Sequence, residues 1–264
     1  MTESDRPRTL KQRLAADELV LCLALSQART VDIPMMAAAC GFDAIYVDLE
    51  HTATSLETTS MLCAAAIGCG LFPLVRVPSH DHQYMTRVID TGALGVIVPH
   101  VNTREQAQHI VDTCRFPPIG HRSIVGPNPA TGYRSMKPTE IVEYLDRYTI
   151  LAAMLETPEA IDNADAIAKL SGLDMILIGT HDLTAEMGIL GQFRHARFTD
   201  AMATAARAAR AHGKIMGVAG IKDLELLAEL VALGVRFISA GNDAGFFMEA
   251  AQAQAARLRA IPVK

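Results

Sequence analysis

Eight short runs of aliphatic and β-branched residues punctuate the chain, and each is followed by an Ala/Leu-rich stretch with helical spacing. The runs occupy residues 20–25, 44–48, 72–77, 95–99, 149–155, 174–178, 214–218 and 236–240. Their apolar residues continue without strict alternation, the pattern of strands buried on both faces. Between them, residues 56–67 and 199–212 are rich in strong helix formers, with Gly70 and Gly213 where C-caps fall. Strands alternating with helices predict a parallel sheet. Eight such units in 264 residues fit a closed (β/α)8 TIM barrel better than a doubly wound open sheet. No Gly/Ser linker or low-complexity stretch divides the chain. Residues 1–264 therefore read as a single barrel domain, with 1–18 a polar N-terminal segment.

Composition narrows the function classes. The net charge of −5 leaves no polyelectrolyte footprint, so nucleic acid is not an expected partner. The longest apolar stretch, residues 61–75, is interrupted by Gly68, Gly70 and Pro73, and a spanning helix needs roughly 20 unbroken apolar residues. The first residues are charged and lack the apolar centre of a secretory signal. Cys22, Cys40, Cys63, Cys69 and Cys114 are odd in number, and none stands in a C-x-x-C pair. They read as core residues of a protein in a reducing, cytoplasmic setting rather than as disulfides or a zinc site.

A barrel of this kind places its chemistry just beyond the C-terminal ends of its strands. There the sequence carries Asp48-Leu49-Glu50-His51, Arg76-Val77-Pro78, Glu156-Thr157-Pro158 and Gly179-Thr180-His181-Asp182. An acid at such a place often does no more than cap the next helix, and Asp182 fits that reading too. Four caps would not, however, also supply a His, an Arg and two separated carboxylates.

Glu156 and Asp182 are hard oxygen donors on neighbouring strands, suited to Mg²⁺, Mn²⁺ or Co²⁺ rather than to structural zinc. Two carboxylates leave about four positions of an octahedral shell for a 2-oxo acid and water. A Lewis acid there polarises the ketone, so that loss of a proton, CO₂ or an aldehyde from C3 leaves an enolate. Arg76 suits the charge developing on that oxygen, and it cannot lose its own. Histidine is the side-chain type whose unperturbed pKa lies near neutrality, so His51 suits proton transfer. The amides at Gly179, Thr180 and His181 precede a helix and suit the substrate carboxylate. A Schiff-base aldolase needs a Lys at a strand's C-terminal end. Lys214 begins its run instead.

Taken in order, Asp48-Leu49-Glu50-His51, Val75-Arg76-Val77-Pro78, Asp90-Thr91-Gly92-Ala93, Phe116-Pro117-Pro118-Ile119-Gly120-His121-Arg122-Ser123, Leu155-Glu156-Thr157 and Ile178-Gly179-Thr180-His181-Asp182-Leu183 resemble the HpcH/HpaI aldolase family, the metal-dependent class II pyruvate aldolases. The resemblance runs over nearly the whole chain. It implies a (β/α)8 barrel whose last helix is exchanged between subunits, in a homohexamer built as a trimer of dimers. It implies cleavage of 4-hydroxy-2-oxo acids, such as 4-hydroxy-2-oxoheptanedioate, to pyruvate and an aldehyde. By matching motif, Glu156 and Asp182 hold the metal, Arg76 stabilises the enolate, and His51 is the acid/base, working through water. Asp90 matches the aspartate that reaches a neighbouring subunit's His.

The sequence departs from the family at Met154, where Gln is usual, at Thr180-His181 in place of Pro-Ala, and at Cys22 in place of an aromatic residue. These differences leave the enolate machinery intact and put the acceptor aldehyde in question. Pro99-His100-Val101 is similar to a segment of macrophomate synthase, so His100 is a candidate substrate contact. The loop from Gly120 to Pro138 reads as a lid or binding loop, in which Arg122 and Arg134 suit a distal carboxylate. An oxaloacetate-type decarboxylase, an acyl-CoA enzyme of the citryl-lyase kind and a non-catalytic metabolite-binding barrel are the alternatives.

Overall fold

The computed structural model describes residues 9–263. Its strands are β1 (Val20–Leu25), β2 (Ala44–Asp48), β3 (Phe72–Arg76), β4 (Gly95–Val98), β5 (Ile150–Leu155), β6 (Met175–Gly179), β7 (Ile215–Ala219) and β8 (Val235–Asn242). All pair in parallel, and β8 returns to β1, closing the sheet in chain order. The helices are α1 (Leu10–Ala15), α2 (Asp32–Ala39), α3 (Leu56–Gly68), α4 (His82–Asp90), α5 (Arg104–Cys114), α6 (Pro138–Tyr148), α7 (Pro158–Asp162), α8 (Ala164–Ala168), α9 (Thr180–Glu186), α10 (Ala196–Ala211), α11 (Leu224–Leu233) and α12 (Asp243–Arg259). This is the (β/α)8 barrel that the alternation predicts, and the strand limits fall within two residues of the sequence runs. Among the described residues, no helix is long and apolar enough to cross a membrane.

Side-chain alternation along each strand divides the core in two. Cys22, Ala24, Tyr46, Leu74, Ile97, Met154, Leu177 and Phe237 pack within the barrel, whereas Ile45, Val47, Val75, Val96, Leu151 and Ile176 pack between strands and helices. The interior is tight enough to require glycine: a Cβ at Gly217 would stand 2.9 Å from Leu177 Cδ1. Gly217 is thus a packing residue. Polar residues after the strands cap the helices, Ser55, Asp81, Thr103, Thr157 and Asp223 each accepting a backbone N–H.

One expectation gains detail and one changes. The described part of the polar N-terminal segment, from Thr9 onward, forms a helix with core contacts. Thr9 and Gln12 make a reciprocal capping box, and Leu10 and Leu14 of α1 join the barrel-interior cluster. Lys11 ties α1 to Asp174 at 2.9 Å. Residues 1–8 lie outside the described residues. The loop from Gly120 to Pro138 is not a lid over its own barrel mouth. It carries a 3-10 turn at Pro129–Thr131, and Ala130 packs with Leu94, Phe116, Ile141 and Leu145. A Cβ on Gly92, in the turn that enters β4, would stand 3.0 Å from Pro129 Cβ. That contact puts the loop beside the N-terminal ends of the strands.

Candidate active site

Strand register assembles the first part of the site. Asp48 and Arg76 end β2 and β3 directly opposite one another. The guanidinium forks onto the carboxylate, Nε to Oδ1 at 3.0 Å and Nη2 to Oδ2 at 2.7 Å. Burial works against the Arg76 charge, but Asp48, Tyr46 and Glu50 outweigh it and raise the pKa well above the usual arginine value. The Tyr46 ring lies beneath the guanidinium, 5.7 Å from ring centre to Cζ. Asp48 Oδ1 also accepts the N–H groups of Glu50 and His51 at 3.0 and 3.4 Å. One carboxylate therefore aims both Arg76 and the turn that carries His51. The His51 side chain is 63% exposed, with Nε2 3.5 Å from Glu50 Oε2.

Glu156 stands one residue beyond β5, beside the end of β6. It is 1% exposed. Its Oε2 accepts the His100 N–H at 2.9 Å, while a Cβ on Gly179 would fall 2.2 Å from its Oε1. Only glycine at 179 leaves that oxygen its place. Asp182 sits in the first turn of α9, whose N-cap is Gly179 with no side-chain cap bond. The capping reading of Asp182 therefore fails. Its carboxylate is exposed, and among the described residues no hydrogen bond or ion pair engages it. Glu156 is not a cap either, because Thr157 caps α7.

The negative charge here is only partly compensated. Burial first, then repulsion from Asp182 and Glu50, hold the Glu156 pKa above the usual carboxylate value, although the His100 N–H and ring pull it down. His100, at a φ of +53°, bridges the two glutamates, with Nε2 3.2 Å from Glu50 Oε1 and Nδ1 3.4 Å from Glu156 Oε2. Glu50 Oε2 lies 3.0 Å from Arg76 Nη1 but is not aligned for a hydrogen bond, and it has no other hydrogen-bond partner. Crowded, partly orphaned carboxylate oxygens fit a hard divalent cation. Among the described residues, no three His, Cys, Asp or Glu side chains form a ready-made cage. Glu156 and Asp182 would supply two oxygens, leaving the remaining positions to substrate and water.

A cavity of about 310 Å³ opens at this mouth, lined by Tyr46, His51, Arg76, Met154, Gly179, Thr180, His181 and Asp182 from one side and by Gly220, Lys222, Ser239 and Asn242 from the other. Thr180 spends its hydroxyl on the Ala219 carbonyl at 2.8 Å. The His181 ring stands edge-on to Phe193, 5.2 Å between centres. A larger cavity, about 630 Å³, lies at the opposite end of the barrel around Lys11, Asp174 and Lys214. The Lys214 ammonium is held there by the Leu170 and Leu173 carbonyls, both at 2.8 Å, so it is absent from the mouth, as its place in the sequence implies.

Three expected site residues are elsewhere. Arg122 is buried, bound to Asp90 at 2.7 Å and stacked 4.7 Å over Phe116. Asp90 ends α4 on the way into β4, at the far end of the strands from His51. Neither lines the cavity of its own chain, and a distal carboxylate there would not meet Arg122. Arg134 donates to the Thr131 carbonyl at 2.8 Å and stacks on Tyr144. His100 touches the two glutamates rather than lining the cavity. Conversely, sequence reasoning passed over Asp48 and Glu50 as functional groups, although both stand in the motif that carries His51. Lys222 lines the cavity too, and no motif marks it.

The model of the HpcH/HpaI aldolase/citrate lyase family matches residues 19–250. A 4-hydroxy-4-methyl-2-oxoglutarate aldolase of Hapsidospora irregularis is 40% identical over 230 residues, 84% of this chain and 85% of that one. A protein of the same name from Chaetomium globosum is 35% identical over 243 residues, 90% of each chain. The crystal structure of an HpcH/HpaI aldolase from Desulfitobacterium hafniense superposes with a TM-score of 0.91 at 26% identity, covering 97% of this chain and 98% of that one.

Proposed function

The chain belongs to the HpcH/HpaI aldolase/citrate lyase family, and from that premise we propose that it is a divalent-metal-dependent aldolase that cleaves or forms 4-hydroxy-2-oxo acids through a pyruvate enolate. The observation that carries the reading is the pair of carboxylates that cap no helix, Glu156, only partly compensated by His100, and the unpartnered Asp182, at one mouth with the Asp48–Arg76 fork and His51. Relatives named as aldolases at 35–40% identity favour carbon–carbon cleavage over decarboxylation.

Glu156 and Asp182 would hold Mg²⁺, Mn²⁺ or Co²⁺, which when bound supplies a Lewis acid for the 2-oxo group. The chain's own groups do the rest. In cleavage, His51, through water, takes the proton of the 4-hydroxyl. The O–H electron pair becomes the new aldehyde or ketone π bond. The C3–C4 bond breaks, and its pair becomes the enolate double bond as the ketone π pair moves to oxygen. Arg76 has five N–H donors, of which three face Asp48 and Glu50. Two remain for the oxygen on which this charge develops. His51 then returns a proton to C3. Asp48 acts by orientation, holding the Arg76 plane and the His51 turn together.

The assembly that accompanies this reading exchanges α12 between chains in a hexamer built as a trimer of dimers. Its support is that α12 buries none of its 17 residues and presents Phe247 and Met248 to solvent, as α2 presents Met35 and Met36. In that assembly Asp90 would reach the His of a neighbour. Free cysteines support a cytoplasmic setting.

Deuterium exchange at the pyruvate methyl, followed by proton NMR, tests the enolate half-reaction without knowledge of the acceptor. EDTA-treated protein should be inert, and added Mg²⁺, Mn²⁺ or Co²⁺ should restore exchange. Glu156→Ala and Asp182→Ala should each abolish it in folded protein. Absence of exchange with every metal would overturn the reading.

A further inference from the structure

The lining of the cavity includes a lysine that the mechanism leaves unused. Lys222 lies between β7 and α11, among the residues that line the cavity beside His181 and Asp182. Gly220 puts it there. Its φ of +100° turns the chain as it leaves β7, and a Cβ at this position would stand 2.6 Å from His181 Nδ1 and 2.8 Å from Thr180 Oγ1. Ile221, 3% exposed, anchors the turn in the core, and Lys222 is left exposed at the rim.

Two observations bear on what this lysine is free to bind. No hydrogen bond or ion pair engages its ammonium among the described residues, although Asp223 and Glu225 are close in sequence. Those acids serve Arg194, at 3.4 and 3.8 Å. Moreover, among the described residues the only other Lys or Arg lining the cavity is Arg76, and its charge is already matched by Asp48 and Glu50. The mouth therefore has one uncommitted positive charge, placed across the cavity from the enolate machinery. Arg122, the residue whose position in the sequence suits a distal carboxylate, is buried on Asp90.

We propose that Lys222 clamps a second, distal carboxylate of the substrate, so that the site selects diacidic 4-hydroxy-2-oxo acids and, in the forming direction, acceptors that carry their own carboxylate. This rests on the aldolase reading above for the identity of the first, 2-oxo acid end. A flexible ammonium can follow a carboxylate at more than one distance from the ketone. A monoacid would leave Lys222 in water at no cost, whereas a diacid gains a charge-assisted hydrogen bond, so the effect is one of selection between substrates.

Calorimetric binding of 2-oxoglutarate and 2-oxobutyrate, at equal free Mg²⁺, tests this directly. Neither acid has a 4-hydroxyl, so neither is cleaved. The intact protein should prefer the diacid. Lys222→Met should lower the ratio of the two affinities by about 2- to 5-fold, the worth of one solvent-exposed ion pair. Lys222→Arg should keep most of the preference, and added salt should reduce it in the unmodified protein. An unchanged ratio in Lys222→Met, or no preference for the diacid to begin with, would overturn the clamp. A selective loss in Lys222→Met, in a protein that exchanges no pyruvate proton, would uphold the clamp and remove the aldolase reading.

Discussion

Arg76 is held by a carboxylate fork, and that geometry separates its charge from its shape. Arg76→Lys keeps a cation beside Asp48 but loses the planar fork and the two spare donors. Turnover should fall by about 100- to 1,000-fold, the usual cost of removing an oxyanion donor, with a much smaller change in KM. Steady-state kinetics with a 4-hydroxy-2-oxo acid decide this, and an unchanged kcat would remove Arg76 from the enolate step. Gly179 offers a complementary test, because it lacks the side chain that would crowd Glu156. A methyl group there would overlap Glu156 Oε1, 2.2 Å away, and force the carboxylate aside. Gly179→Ala should leave the barrel folded by circular dichroism while weakening Mn²⁺ binding by about 10- to 100-fold, as loss of a ligand's support does. Wild-type Mn²⁺ affinity in this variant would argue that Glu156 is not a ligand.

Helices and strands communicate here through their ends. α12 buries none of its residues, yet its first residue is firmly bound. Asp243 accepts the N–H groups of Ser26 and Gln27 at 2.9 Å and the Ser26 hydroxyl at 2.7 Å, and it also takes the Ala28 N–H. Burial works to raise its pKa, but these hydrogen bonds prevail and hold it below the ordinary 3.8. A depressed carboxylate pKa means stability that is present above the unfolded value and lost as pH falls through the folded one. Asp243→Asn should therefore destabilise the protein by about 1–2 kcal/mol near neutrality, allowing for partial exposure. The gap between the two proteins in urea unfolding should close as pH drops below 3.8. A gap independent of pH would contradict the ionic character of this staple.

An outer helix without a buried face is unusual in a barrel, and it bears on assembly. Under the proposed helix exchange, which would cover the exposed Phe247 and Met248 of α12, the 28.4 kDa chain should scatter light as a multiple of its own mass. Phe247→Asp should lower that mass without altering the circular dichroism of the barrel. A monodisperse monomer in the unmodified protein would rule out helix exchange.

Much of this architecture is legible in the sequence, because run length and periodicity are local properties. An eight-fold alternation of apolar runs and helical stretches predicts parallel strands, and the polar residues just past the runs mark the end of the barrel where the candidate site lies. His51, Arg76, Glu156 and Asp182 were accessible for that reason. Closure of the sheet decided the rest, since it fixes distances between residues far apart in the chain. Register set Asp48 against Arg76, and the β5–β6 offset laid Glu156 over Gly179. The same closure turned residues 10–15 into a helix with core contacts, sent Arg122 away from the mouth to Asp90, and brought Lys222 to it. Charge balance in a barrel mouth is a sum over several strand ends, and no single segment of sequence contains that sum.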